Sequence, residues 1–374
     1  DHNLNKDFKT IAVCKFKGMG SIIQATPMLQ AIRNRFPDAE IIFVSSVANK
    51  SLLEKIDLVD TIITLDDRNM RRFGLSCLRA LVRLVRKRPD VYIDLEIYSD
   101  FSTLFTLFTL SKNRIGFYLR SSSFRMGIYT QMMFFNPHVP ISDVYLQLAA
   151  LLYCRIDGNR LFPLHKNIKV ENKHRSGTYI LINPNASDIR LERRWNAQNF
   201  ISLVRMVRVA FPDHEILLIG GKSEKEYTDQ IANTIHSEKV ASLAGATTID
   251  ELIYLIRNAT LMVSNDTGPM HIAFSTETPV ICLFGPCAPG QYGMNRYAHV
   301  VYKRVYCSPC VHEFETAPCN GNNICMQLIS VQEVYDMVVK VLSDMKYPVN
   351  TALEDDRPIY QLDGLTLGLV NRQL

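Results

Sequence analysis

Asp266-Thr267-Gly268-Pro269-Met270-His271, set between the apolar runs 260–264 and 279–284, is the stretch best suited to hold an anion. Short apolar runs bounded by turn residues suit parallel strands covered on both faces. A helix opening between them, capped by Asp266 or Thr267, would aim its free N–H groups and positive dipole end at a ligand. That ligand would lie at the carboxyl edge of the sheet, where open α/β sheets bind. His271 would sit in the first turn as a donor to a phosphate oxygen; the alternative is a capped core helix with His271 merely hydrogen-bonded. A second cationic point lies in the same half of the chain. Asn183-Pro184-Asn185-Ala186-Ser187 ends a strand, and Arg190, Arg193, Arg194 and Trp195 follow before a helix. Guanidinium groups there can clamp a diphosphate bidentately while Trp195 packs the helix start. A solvated basic loop is the alternative, and its coincidence with the anion turn favours the clamp.

In the first half, Lys17-Gly18-Met19-Gly20-Ser21 is a truncated glycine-rich loop. It lacks a third glycine, and the strand 40–46 ends in Ser45-Ser46 with no acidic ribose ligand, which argues against a nicotinamide cofactor. Gly18 and Gly20 still allow close backbone approach by a substrate. Alternation in 91–96 puts Tyr92, Asp94 and Glu96 on one face. Glu96 falls at the carboxyl end of that strand, and Asp100 follows within the next helix turn. Either carboxylate could take a proton from a hydroxyl within hydrogen-bond reach; Asp94 reads as a structural partner to a neighbouring loop. Cys307, Cys310, Cys319 and Cys325 form a C-x2-C-x8-C-x5-C cluster that could make a structural zinc site or simply pack as reduced thiols.

The elements that must carry these residues alternate. Strands at 10–16, 40–46, 61–65, 90–95 and 114–117 interleave with helices at 22–36, 51–56, 75–88, 99–110 and 143–154. The pattern restarts after 177, with strands at 178–183, 215–220, 260–264 and 279–284 and helices at 196–211, 224–236, 249–258 and 330–345. Strict alternation predicts α/β architecture: two Rossmann-like, doubly wound parallel sheets facing across a cleft. The expected division is residues 1–154, a linker at 155–177, residues 178–345, and a tail at 346–374 packing back.

Composition agrees with such a chain. Apolar residues make up 47% and charged residues 21% of 374 positions, as in a globular protein. No apolar run reaches the roughly 18 residues of a membrane helix. The start at Asp1 rather than Met suggests a processed chain, and residues 1–9 are too polar for a secretory signal. Nine cysteines, an odd number, point to a reducing cytoplasm. The formal net charge of +5 is modest. Its distribution is not: Arg71, Arg79, Arg83 and Arg86 interleave with Leu75, Leu78 and Val82 along one predicted helix and its approach. That helix could lie on an anionic membrane surface or meet a phosphorylated acceptor, with an ordinary solvated face as the alternative. Nucleic acid is not expected, since no recognised binding module accompanies the charge.

Together these segments resemble glycosyltransferase family nine, the lipopolysaccharide heptosyltransferases. The resemblance runs from Ile11 to Met345 through the Gly18 loop, Ile93-Asp94-Leu95, Arg114-Ile115-Gly116-Phe117, the 183–195 segment, Asp266 to His271, Phe284-Gly285-Pro286 and the cysteine cluster. It implies the two-domain GT-B fold and an inverting, metal-independent, cofactor-free transfer of a sugar, typically heptose from ADP-heptose, to a lipid-linked or oligosaccharide hydroxyl. It implies work at the inner face of a bacterial membrane. The donor diphosphate would lie at Thr267, Gly268 and His271, helped by Arg193 or Arg194, with Asn185, Asp266, Gly285 and Pro286 around it. One departure stands out: the family's catalytic Asp is replaced by Ser21, whose hydroxyl is too weak a base at neutral pH. Glu96 is then the first substitute and Asp100 the second; the competing reading is a binding protein that has lost catalysis.

Overall fold

The computed structural model describes residues 2–168, 170, 178–186, 190–293, 295–314, 317, 319 and 322–346. The expected tail beyond 346 and most of 169–177 lie outside them. Fully buried apolar runs form the central strands, and half-covered runs form the edges. The first sheet holds β1 (Thr10–Cys14), β2 (Glu40–Ser46), β3 (Thr61–Leu65), β4 (Val91–Asp94), β5 (Asn113–Tyr118) and β6 (Gln131–Phe134), all parallel, in the order β3-β2-β1-β4-β5-β6. The second holds β7 (Tyr179–Asn183), β8 (Glu215–Leu218), β9 (Val240–Ser242), β10 (Leu261–Asn265), β11 (Val280–Phe284) and β12 (Ala298–Tyr302), in the order β12-β11-β10-β7-β8-β9. Both orders reverse direction at one point, between β1 and β4 and between β7 and β10. Crevices at such points are where open α/β sheets take ligands.

The doubly wound, two-sheet expectation holds. Three edge strands, β6, β9 and β12, are absent from the sequence reading. Each pairs on one side only and is largely half-exposed, so none shows a continuous apolar run.

Helices α1 (Met19–Gln24) and α2 (Thr26–Arg35) replace the single expected helix. Pro27, in the first turn of α2, has no N–H to continue α1, and Thr26 Oγ1 donates back to the Ile23 carbonyl at 2.6 Å. In the first half follow α3 (Lys50–Leu53), α4 (Met70–Lys87), α5 (Asp100–Phe108) and α6 (Ile141–Leu151). Asn69 caps α4 by accepting from Arg72 N, which starts that helix five residues earlier than its apolar periodicity suggests. Around the second sheet run α7 (Ala197–Ala210), α8 (Lys225–Ile235), α9 (Ile249–Asn258), α10 (Gly268–Ser275), α11 (Pro289–Tyr292), α12 (Ile324–Gln327) and α13 (Val331–Lys346).

The two sheets share apolar cover: Leu161 and Leu164 join one buried cluster that includes Ile93 of β4 and Met262 of β10. Lys55 and Asp250 add an ion pair at 2.7 Å between the halves. Most directly, α1 packs on α10, so the two glycine-containing helix starts face each other.

Candidate active site

Lys15 leaves β1 and Glu96 leaves β4, and these strands are neighbours with Cys14 opposite Asp94. That register brings the two charges together: Lys15 Nζ donates to Glu96 Oε2 at 2.8 Å. The amides of Phe16 and Lys17 donate to Glu96 Oε1 at 2.7 and 3.1 Å. Burial works against the Lys15 charge, but Glu96 outweighs it and the ammonium pKa ends above its ordinary value. Glu96 therefore clamps the backbone that leads into Gly18. At φ +89°, Gly18 holds a conformation that side-chain-bearing residues rarely adopt.

Below Glu96, the fully buried Asp94 accepts from Tyr129 Oη at 2.5 Å, Ser102 Oγ at 2.8 Å and the Glu96 amide at 2.8 Å. Burial raises its pKa. Arg125, also fully buried, donates to the carbonyls of Glu96 at 2.8 Å and Ser99 at 3.0 Å. The segment between Glu96 and Asp100 is thus held from both sides. Ser21 hydrogen-bonds the buried phenol of Tyr145, which burial keeps protonated.

Across the cleft, Asn183 Nδ2 donates to Thr267 Oγ1 at 2.6 Å and Ser264 Oγ at 3.1 Å, fixing the turn before α10. Asn265 accepts from Trp195 N at 3.2 Å and donates to the Asn185 carbonyl at 3.1 Å, tying the arginine segment to the same turn. Arg193 is thereby placed with Nη1 3.5 Å from Asp266 Oδ2. Arg193 Nε and Asp266 Oδ2 are buried without a hydrogen-bond partner. A buried charged pair left short of hydrogen bonds is well matched to a ligand supplying anionic and hydroxyl oxygens.

His271 is buried, and its Nδ1 lies 3.0 Å from Gln24 Nε2 of α1. Burial, opposed by Asp266 and reinforced by Arg193, pushes its pKa down to about 4, so the ring is neutral at pH 7. With Gln24 donating to Nδ1, the ring proton resides on Nε2, available to an acceptor oxygen. His312 lies nearby: its ring stacks on Tyr98 of the first half, centroids 5.2 Å apart, and its Nε2 is 2.9 Å from Tyr292 Oη. Burial, with Arg193, drives its pKa down to about 4 as well.

The sequence profile of glycosyltransferase family 9 (heptosyltransferase) matches residues 83–320. The chain belongs to this family. Its relatives include lipooligosaccharide heptosyltransferase 2 of Campylobacter jejuni, 24% identical over 335 residues that span 87% of this chain and 96% of the relative. Among solved structures, the Escherichia coli ADP-heptose lipopolysaccharide heptosyltransferase II superposes with a TM-score of 0.70 at 19% identity, covering 90% of this chain and 99% of that one. A family 9 glycosyltransferase from Veillonella parvula gives a TM-score of 0.72 at 17% identity over 91% of this chain and 100% of that one. These likenesses show the fold, two α/β halves of the GT-B type.

In this family 9 glycosyltransferase, Arg193, Asp266, Thr267, Gly268 and His271 converge on one side of the cleft, and Gly18, Gly20 and Ser21 oppose them. Arg194 and Asn185 point elsewhere. The Arg194 guanidinium stacks 4.1 Å from the Tyr227 ring centroid, and the Asn185 amide donates to the Ile219 carbonyl at 2.8 Å and Thr228 Oγ1 at 3.1 Å. Gly285 and Pro286 are braced by the cysteine segment: Ser308 Oγ donates to the Gly285 carbonyl at 2.5 Å, and the amides of Cys310 and Val311 donate to the Pro286 carbonyl at 2.9 and 3.0 Å. Cys307 is exposed, Cys310 and Cys319 are half-buried, and Cys325 is buried. Among the described residues no group of three or more His, Cys, Asp or Glu is arranged to hold a metal. What this segment visibly does is carry His312 into the cleft. Sequence reading missed Lys15, Gln24, Tyr98 and His312. Only Lys15 had a signal, a charged residue near the end of an otherwise apolar strand.

Glu96→Gln should cost roughly 3 kcal/mol, because it leaves Lys15 buried without a counter-charge. Scanning calorimetry is expected to show a fall in Tm of roughly 6 to 12 °C. An unchanged Tm would mean that the clamp does not hold the loop.

Proposed function

We propose that this glycosyltransferase moves heptose from ADP-heptose to a hydroxyl of a lipopolysaccharide or lipooligosaccharide core acceptor at the inner face of the membrane, inverting the anomeric carbon without a metal. The observation that carries this reading is the buried Arg193–Asp266 pair at the start of α10, short of hydrogen bonds, on a helix whose His271 packs against Gly20 of the first half. The names of the Campylobacter and Escherichia relatives support the heptosyl donor and the core acceptor.

In this mechanism the acceptor hydroxyl enters from the first half and attacks the anomeric carbon opposite the diphosphate. The new carbon–oxygen bond forms as the bond to the β-phosphate breaks, and ADP leaves with its added charge. Arg193, the free N–H groups of α10 and the neutral His271 ring face that charge from fixed positions, the arrangement that stabilises a leaving group most effectively. The hydroxyl proton passes to a carboxylate. Glu96 already accepts three hydrogen bonds, so its role is to position the Gly18 loop. Asp100, exposed at the first turn of α5 with no hydrogen bond among the described residues, is the carboxylate open to a substrate.

Ser21 favours a second reading, a sugar-nucleotide-binding protein without turnover. Incubation with ADP-heptose and a heptose-deficient core oligosaccharide decides between them, with ADP release and the added heptosyl mass as readouts. Turnover by the native chain, reduced at least about a hundredfold in Asp100→Asn, is the expected result. ADP binding without turnover, with activity appearing only in Ser21→Asp, would establish the second reading instead.

A further inference from the structure

Helix α4 has two apolar faces. One, with Phe73, Cys77, Ala80 and Leu84, packs into the core beneath the first sheet. The other, with Leu75, Leu78 and Val82 at i, i+3 and i+7, faces solvent with exposures of 55, 61 and 41%. Helix α5 lies beside it on the same face of the sheet, the Phe101 and Phe73 ring centroids 5.0 Å apart. It too turns aliphatic and aromatic side chains outward: Leu104, Leu107 and Phe108 are 48, 39 and 57% exposed. Two adjacent helices with large apolar side chains on their outer surfaces mark an interaction site.

The charge of this surface identifies its occupant. Between Asp67 and Asp90 the chain carries eight Lys and Arg and no Asp or Glu. Asp66 engages Arg68 and Arg72, and Glu40 engages Lys87. Arg79, Arg83 and Arg86, exposed beside the apolar stripe, make no ion pair or hydrogen bond among the described residues. A second copy seated on this face would set arginines against arginines. A surface of anionic phosphates would not.

We propose that the outer face of α4 and α5 rests on an anionic lipid bilayer, with the apolar side chains at the boundary of headgroups and acyl chains and the arginines among the phosphates. Among the described residues no helix is long and apolar enough to cross a membrane, so the contact is interfacial, reaching about 5 to 10 Å deep. Both helices begin at the carboxyl edge of the first sheet, the edge that carries the Gly18 loop and Glu96. A lipid-linked acceptor in that bilayer would present its sugar to the acceptor side of the cleft. This link to the acceptor rests on the transferase reading; the lipid contact itself does not.

Cosedimentation of the full chain with phosphatidylglycerol-containing vesicles and with pure phosphatidylcholine vesicles tests the surface. Native protein should bind the former and barely the latter. Neutralising Arg79→Gln, Arg83→Gln and Arg86→Gln together should weaken binding about a hundredfold. Leu78→Ser with Phe108→Ser should weaken it at least about tenfold. Because these side chains are exposed, Tm and transfer to a delipidated oligosaccharide should stay as in the native chain. Undiminished vesicle binding by both variants overturns the proposal, as does equal native binding to the two lipids. So does a native dimer that Leu78→Ser with Phe108→Ser splits into monomers. Loss of vesicle binding in a chain that transfers no heptose would uphold the surface and overturn only the transferase reading.

Discussion

Arg193→Ala is expected to lower kcat/KM for the nucleotide sugar by about a thousandfold. The guanidinium is held at the start of α10, 3.5 Å from Asp266, where leaving-group charge would develop. Removing a preorganised donor of this kind from a catalytic site costs roughly 3 to 4 kcal/mol in the transition state. The substitution also strands the buried Asp266 carboxylate, so ADP affinity should fall and some stability be lost with it. Arg193→Lys keeps the charge but loses the planar fork, and should lie between the native chain and Arg193→Ala. Arg194→Ala should change kcat/KM far less, because that side chain stacks on Tyr227. Steady-state kinetics and ADP titration below the unfolding transition supply the test. If Arg193→Ala stays within threefold of the native chain while Arg194→Ala is crippled, the clamp has been given to the wrong arginine.

The second large effect concerns the seam between the halves. An ideal Cβ at Gly20 would lie 2.2 Å from His271 Cδ2 and 2.6 Å from Nε2. The imidazole has nowhere to go, since it is buried and pinned by Gln24. In Gly20→Ala, α1 must therefore lift off α10, carrying Gly18 and Ser21 away from the donor side. A displacement near 1 Å at a reacting centre costs about a hundredfold in rate, and the strain of overpacking roughly 1 to 3 kcal/mol in stability. Gly268→Ala is the internal control. Its Cβ would meet Met19 Sδ at 3.0 Å and Met19 Cβ at 3.2 Å, contacts that a rotated thioether and a small shift of α1 relieve, so a smaller loss than in Gly20→Ala is expected. Adding His271→Ala to Gly20→Ala should recover Tm without recovering activity, because the space returns while the donor is gone. Native kinetics and Tm in Gly20→Ala would show that the two helix starts need not touch.

Much of this molecule was legible in one dimension. Runs such as 261–265 and 280–284 are apolar throughout because both faces of a central parallel strand are covered, and alternation with amphipathic helices then leaves little choice of architecture. The same logic placed the glycine-containing turns at the carboxyl ends of central strands, beside the points where the sheet order reverses. Edge strands escaped notice because half-covered backbone imposes no apolar pattern. The break between α1 and α2 was written in Pro27 but masked by the apolar periodicity running through it.

What the sequence by itself determined was the set of chemical groups at each strand end: Gly18 and Gly20, Glu96, Arg193 and Arg194, and Asp266 to His271. Their partners were decided only by tertiary structure. Glu96 is clamped by Lys15 across 81 positions, and His271 is held by Gln24 across 247. Whether a carboxylate is a free base or a bound clamp depends on which donors the fold delivers to it. Arg193 and Arg194 are alike as letters, yet one meets Asp266 and the other Tyr227 because successive residues leaving a turn point in different directions. Local pattern carries burial and period; the assignment of roles depends on distances that exist only once the two sheets are packed together.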